Sequence, residues 1–412
     1  MKSEILSNKN LCKITMAECL SSFGDNLDYV ALCILCYSLS GSVISIGILS
    51  LMSSIPNIIF TLIGGVVSDK INKKKLIIAM QVVRGTLVLT MPIMYIAGIL
   101  SNIYIYIITF LVSICESFYM PCSNAFTLDI TDDEKYLKVN SEKNSLNQVV
   151  TVLGLTCGGF LVGCLGPSFA IFFDAGTFFI AALITSTIEY NKDNLDKGMD
   201  ICNVFNLKNI LKEIKEGLQI INKEKNIKIY MINFVIICIL VAPLEPYITY
   251  MLNNIGLDDK YSDLGVGILF SMLSIGVILG NLLIIKLKDK YTNYKIVKYA
   301  ILLTLITVML ICINNLITLC VSIFLLGLSS GLLKSLSVTI IMTGVEENFR
   351  GRISSCILLS ALSISPLISI VASSFIELNF REGIWILDIF LLLGFMLIFK
   401  KNKSILLINT DD

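Results

Sequence analysis

Three carboxylates, Glu18, Asp25 and Asp28, fall within one continuous apolar run near the start of the chain, with Ser21 and Ser22 beside them. On a helix of 100° per residue, Asp25 lies ~20° and Asp28 ~80° from Glu18, so the three acids share one side. A helical rise of ~1.5 Å per residue ladders them over ~15 Å of depth. An ionisable group inside a membrane span costs at least ~2.5–3.5 kcal/mol and marks a functional position by default. Carboxyls withdrawn from water can load and release protons, so this face reads as a relay for protons or substrate. Arg84 lies in the third apolar run, Glu116 in the fourth, five residues before Pro121, and Lys334 in the tenth. A buried Arg needs an acidic partner, and Asp25, Asp28 and Glu116 are the options in the same half. For Lys334 three readings stand: pairing with an acid across a cavity, contact with an anionic substrate, or snorkelling to the cytoplasmic side. Asp174, at the start of the sixth run, reads as an architectural group near the outer surface.

These residues are carried by twelve apolar runs, the first near residues 14–38, the fifth near 146–165 and the last near 384–399. Each is long enough for the roughly 20 helical residues that cross a hydrocarbon core of ~30 Å. The runs are continuously apolar, which specifies helices rather than the alternating strands of a barrel. All but four of the 32 Lys and Arg lie in the two tails or in alternate gaps, the exceptions being Arg84, Lys260, Lys334 and Arg381. Cytoplasmic loops carry such an excess. Both termini and the loops near 68–75, 128–144, 190–226, 286–295 and 346–352 are therefore expected in the cytoplasm. With 55% hydrophobic residues and only 15% charged, the chain departs from soluble domains, in which about a quarter are charged. Its mean hydropathy is +0.83. The reading is an all-α, polytopic membrane protein whose first run is a retained span rather than a signal peptide.

Composition removes several chemistries. The net charge of +1 gives no reason to expect a nucleic-acid partner. Histidine is absent, which excludes His-based metal sites and proton relays. The 13 cysteines are scattered, and the single Cys33-x-x-Cys36 pair falls inside the first run, where an exposed electropositive thiolate site is not expected. No phosphate-binding glycine loop is present, so ATP is not the direct energy source. Neither an enzyme constellation nor a cofactor or metal site is expected.

The longest polar stretch, residues 190–226, separates six runs from six. The sequence predicts an N-terminal six-helix bundle at 1–189, a cytoplasmic connector at 190–226 and a C-terminal bundle at 227–412. Apolar residues at helical spacing from Val204 to Ile221 predict an amphipathic surface helix in the connector. Asp69-Lys70 recurs as Asp289-Lys290 at the matching gap of the second half. Pro243 and Pro246, flanking Glu245, interrupt the seventh run and predict a hinge or outer gate.

The segment Gly65-Val66-Val67-Ser68-Asp69-Lys70-Ile71-Asn72-Lys73-Lys74 resembles the loop 2–3 signature of the major facilitator superfamily. Here Gly65 is expected to let two helices approach closely. Asp69 is expected to cap a helix or pair with a cation. The basic run Lys70, Lys73 and Lys74 holds the loop in the cytoplasm, and Asn72 replaces the family's glycine, with a tolerated left-handed turn. Ser22-Phe23-Gly24-Asp25, Arg84, Phe118-Tyr119-Met120-Pro121, Phe173 to Phe178, Gly351-Arg352-Ile353-Ser354 and Pro366 resemble the branch of macrolide-efflux and enterobactin-exporter proteins. The fifth run carries Gly154-Leu155-Thr156-Cys157-Gly158-Gly159, which resembles the antiporter signature without its proline. The resemblance implies twelve transmembrane helices in two bundles and proton-coupled export, by alternating access, of an amphipathic drug-, antibiotic- or siderophore-like compound. Gly65, Asp69, Lys70, Lys73, Lys74, Gly158, Gly159, Pro243 and Pro246 would act in gating. The expected setting is a bacterial plasma membrane, and the expected partners are protons, lipid and a small molecule carried by a monomer. A solute importer of the same fold and a non-transporting membrane sensor are the rival readings.

Overall fold

A computed structural model of the chain describes residues 4–401, except 69–70, 132, 191–218, 255–258, 289, 312–315, 346 and 379–380. Regular structure among the described residues is all helical. A chain in lipid must satisfy its own backbone hydrogen bonds, and a helix does so within one segment. The first half holds α1 (Glu4–Ser7), α2 (Lys9–Ser40), α3 (Ile44–Ser68), α4 (Lys73–Ile96), α5 (Asn102–Asp129), α6 (Asp133–Leu165) and α7 (Pro167–Ser186). The second holds α8 (Lys225–Val241), α9 (Leu244–Asn254), α10 (Asp259–Lys288), α11 (Asn293–Ile311), α12 (Leu316–Thr343), α13 (Glu347–Glu377) and α14 (Arg381–Lys401). Eleven segments are long and apolar enough to cross a membrane, with α8 and α9 forming one of them. With α14, whose apolar stretch is Asp388–Leu397, the expected twelve-helix architecture is complete.

Local sequence sets the helix ends. The Asn8 side chain accepts from the backbone N–H of Asn10 at 2.9 Å and so caps α2. Gly41, at φ 65°, closes α2 with its N–H on the Tyr37 carbonyl at 2.7 Å, a left-handed position that suits glycine. Asn72 does not make the expected left-handed turn. It lies at φ −60°, in extended conformation, and caps α4 by accepting from Lys75 N–H at 3.2 Å. The prolines do interrupt the seventh run: α8 ends at Val241, and Pro246 sits in the first turn of α9.

One boundary differs from the sequence reading in a way that matters for the site. Residues 128–144 were expected as a loop, yet α6 starts at Asp133. Its polar first turns have partners near the chain's start. Lys138 pairs with Glu4 at 2.9 Å, and Glu142 accepts from the N–H groups of Glu4 and Ile5. The predicted amphipathic helix at 204–221 falls almost wholly outside the described residues, as do Asp69 and Lys70.

The chain divides into two compact units, residues 1–205 with 249–268 and residues 206–248 with 269–412. In the first, α2 packs on α6 and α7, α4 on α5 and α7, and α3 on α5. Small residues allow these approaches. A Cβ on Gly154 would lie 2.7 Å from the Phe23 carbonyl oxygen, and one on Gly158 2.9 Å from that of Leu27. The close approach of α3 to α5 falls at Gly64, against the Ser117 carbonyl; a Cβ on Gly65 would meet nothing within 4 Å. The expectation for Gly65 is thus off by one residue, about 100° of helix rotation. In the second unit, Gly276 and Gly280 of α10 interlock with Gly327 and Gly331 of α12.

Candidate functional site

The ionisable residues of the first unit converge on α2. Arg84, on α4 and 2% exposed, donates from Nη2 to Asp25 Oδ1 at 2.7 Å. Of the three acids open to it from sequence, Asp25 is the one it pairs with. The guanidinium also lies over the Phe178 ring, 4.3 Å from its centroid, a setting that suits this weakly hydrated cation. Asp28, one turn beyond Asp25, is buried, and its Oδ1 has no hydrogen-bond partner among the described residues. Glu116, on α5, makes no ion pair or hydrogen bond among the described residues.

Asp174 lies about two turns inside α7, which begins at Pro167, and is 1% exposed. Its carboxylate packs where Gly24 of α2 has no side chain, and it accepts from the Thr177 hydroxyl at 3.2 Å. A bulkier residue at 24 would displace it.

A second ion pair was missed from the sequence. Lys143 falls within the loop expected near 128–144, but it is a buried residue of α6 whose Nζ lies 2.7 Å from Glu18 Oε2. It also donates to the Thr127 hydroxyl at 3.0 Å, and Ser123 donates to Glu18. Glu18 is therefore held in a neutralised, hydrogen-bonded pair rather than standing free on the acidic face of α2.

The two pairs border one cavity of about 390 Å³. Glu18, Ser21, Ser22 and Asp25 line it from α2, and Arg84 from α4. From α5 come Glu116, Tyr119, Met120 and Asn124. The remaining wall is α6, with Lys143 and the amides of Asn140, Asn144 and Asn147. These amides recur at i, i+4 and i+7, which is one helix face. That spacing was visible in the sequence, but the expected loop at 128–144 hid it.

The motif residues tie helix ends together. Lys73 pairs with Asp129 at 2.7 Å, and the Tyr190 hydroxyl donates to the same Asp129 oxygen at 2.8 Å. Lys74 donates to the Ile188 carbonyl at 2.6 Å. The ends of α4 and α5 and the segment after α7 are thereby joined. Burial, and then the bond to Asp129, raise the Tyr190 phenol above its ordinary range, so it remains a donor. Gly159 meets Gly267 within the same unit. Pro243 and Pro246 are buried at the α8–α9 break. Lys334, on α12 of the second unit, is half-buried and has no ion-pair partner among the described residues. Cys33 and Cys36 are buried and not joined in a disulfide. The described residues include no cluster of three or more Cys, Asp and Glu that could hold a metal ion.

A family model described as transmembrane secretion effector, MFS_3, matches residues 5–345. Two Bacillus subtilis (strain 168) proteins, the uncharacterized MFS-type transporters YkuC and YfiS, are 25% identical over 224 residues and 21% identical over 219 residues. These matches cover 54% and 53% of this chain and 52% and 50% of the relatives. The chain thus spans about half the length of the curated relatives it matches. Among solved structures, the nucleoside transporter NupG aligns with a TM-score of 0.73 at 12% identity, over 96% of this chain and 99% of that one. A bacterial homolog of the human lysosomal transporter Spinster, inward-facing and occupied, aligns with a TM-score of 0.72 at 12% identity, over 98% and 97%. At that identity the likeness speaks for the fold alone.

Proposed function

The chain belongs to the transmembrane secretion effector family of major facilitator transporters, and on that premise we propose that it exports a small organic compound from the cell in exchange for protons. That it is a multi-pass membrane transporter and not an enzyme follows from the family and the fold. The observation that supports proton exchange is the charge cluster about Arg84. Asp25, Glu116 and Asp174 are its electrostatic neighbours, Asp28 is in turn an electrostatic neighbour of Asp25 and Asp174, and all sit on helices of membrane-spanning length. Four carboxylates around one guanidinium, with Asp28 and Asp174 buried, cannot all stay ionised without strong mutual repulsion. Taking up a proton relieves that repulsion. Giving it up on the other side of the membrane would return the cluster to its starting charge.

In this account Asp25 is the coupling acid. Its carboxylate borders the cavity and holds Arg84, so protonating it releases the guanidinium toward Glu116 or a ligand. The two halves, 1–189 and 227–412 with the 190–226 connector between, would rock by alternating access. The ties made by Lys73 and Lys74 would break and reform, with Asp69 and Lys70 in the same loop. Pro243 and Pro246 would absorb bending, and Gly158 and Gly159 would permit helix sliding. Lys334 would contribute the second half's cation. Export, rather than import, is favoured by the family's description and by the resemblance to macrolide and enterobactin exporters. Cytoplasmic termini accord with the Lys/Arg distribution, and a monomer in the plasma membrane is the setting proposed with them.

Efflux from intact cells tests this reading. Cells making the protein should extrude at least one compound from a panel of macrolides, siderophores and amines, and a protonophore should stop them. Asp25→Asn, nearly isosteric but unable to titrate, should abolish gradient-driven extrusion. Extrusion that survives both the protonophore and the substitution would refute proton coupling at Asp25.

A further inference from the structure

We propose that the first-unit cavity takes a hydrophilic organic cation, an amine that also bears several hydroxyl or amide groups. The proposal rests on reading this cavity as the transporter's substrate site. Charge is the first argument. Lys143 neutralises Glu18 at 2.7 Å, and Arg84 neutralises Asp25 at 2.7 Å. Glu116 lines the same cavity with no ion pair or hydrogen bond among the described residues. The described lining thus carries three carboxylates, Glu18, Asp25 and Glu116, against two cations, Arg84 and Lys143. Glu116 is an electrostatic neighbour of Arg84 without being paired to it, and an ammonium group is the natural complement of the excess negative charge.

The amides are the second argument. Asn124, Asn140 and Asn144 face the cavity and make no hydrogen bond among the described residues. Each offers two N–H donors and a carbonyl acceptor. The Asn147 side-chain oxygen accepts, among the described residues, a long contact from the Cys19 thiol at 3.7 Å. Among the described residues, Tyr119 and Met120 alone bring apolar bulk to the lining. An apolar drug in this space would displace water from these amides and from Glu116 without replacing the lost hydrogen bonds. A ligand rich in hydroxyls or amides replaces them. The volume of about 390 Å³ lies within the range of roughly 300–1,000 Å³ found for pockets that take drug-sized ligands. This chemistry differs from the amphipathic substrate expected from the sequence, because here the polar lining sets the preference.

Titration calorimetry on the purified full chain in detergent tests this with three compounds. Kanamycin is a polyhydroxylated amine, tetraphenylphosphonium an apolar cation, and sucrose a neutral polyol. Kanamycin should bind at least ~10-fold tighter than either of the others, the effect of one well-made charge-assisted hydrogen bond. Glu116→Gln should weaken kanamycin by ~10-fold or more and leave sucrose unchanged. Asn144→Leu, at an exposed position of the cavity wall, should weaken both hydroxylated compounds. Tighter binding of tetraphenylphosphonium, absence of kanamycin binding, or kanamycin binding unchanged in both variants would each overturn the proposal. Vesicle pH measurements separate this from the transport reading. Kanamycin binding of the expected pattern with no proton movement would overturn proton-coupled export alone. Proton movement driven by tetraphenylphosphonium, without kanamycin binding, would overturn only the ligand class.

Discussion

Lys143→Met removes one member of the ion pair that joins α6 to α2. Lys143 is 4% exposed and Glu18 9%, with 2.7 Å between their charged atoms. Truncating one partner of a buried pair leaves an uncompensated charge and costs ~3–5 kcal/mol. Ser123 still donates to Glu18 in the variant, and a hydrogen bond to a charged group is worth ~1.5–3 kcal/mol. That bond is present before and after, so it caps the loss rather than cancelling it, and ~3 kcal/mol is the expected penalty. The pair Lys138–Glu4, whose side chains are 37% and 25% exposed, is the internal control. Lys138→Met should cost no more than ~1 kcal/mol, as for surface pairs. Replacing both partners, Glu18→Gln with Lys143→Met, should recover most of the loss, because a neutral amide keeps the Ser123 bond and no charge is left unpaired. Unfolding by SDS titration in mixed micelles reads all four proteins. A Lys143→Met penalty no larger than that of Lys138→Met, or a double variant worse than the single, would show that the pair is not a desolvated unit.

Gly276→Val should cost at least ~1–3 kcal/mol by overpacking, because a Cβ there would run into the Phe324 carbonyl; an unchanged thermal midpoint would show that α10 and α12 do not interlock. Asp388, 2% exposed on α14, has an Oδ2 with no hydrogen-bond partner among the described residues. A neutral amide is cheaper to bury than a carboxylate, so Asp388→Asn should raise the thermal midpoint, and a fall would reveal a favourable contact of the acid. Gly24→Leu should displace Asp174, whose carboxylate occupies that space, and impair transport with the protein still inserted; normal transport would remove Asp174 from the coupling cluster.

The in-span charges were legible because a charge in an apolar run is conspicuous on cost alone, and Asp25, Asp28, Arg84 and Glu116 do gather in one unit. The partner of Arg84 could be narrowed to three acids but not chosen, since the choice depends on the rotation of α4 against α2, which no local pattern encodes. Lys143 was hidden by its neighbours: a polar stretch after a span reads as a loop, and only the packing of α6 on α2 reveals a helix whose one face is buried. The packing of the Asp174 carboxylate against Gly24 was likewise not legible, because it depends on how α7 sits on α2. The loop motif was legible as a family mark, but its physics differs in detail. Gly64 rather than Gly65 makes the close approach, and Asn72 caps a helix rather than turning the chain.

The central claim is that a proton-titrating cluster around Arg84 and Asp25 drives transport, and lumenal pH in vesicles reconstituted with the purified protein measures it most directly. With a pH-sensitive dye enclosed and a compound identified by efflux from cells added outside, wild-type protein should move protons opposite to the compound, and Asp25→Asn should move none while still binding it. A compound that crosses the membrane through wild-type protein with no change in lumenal pH, or a proton flux of wild-type size in Asp25→Asn, would contradict the account.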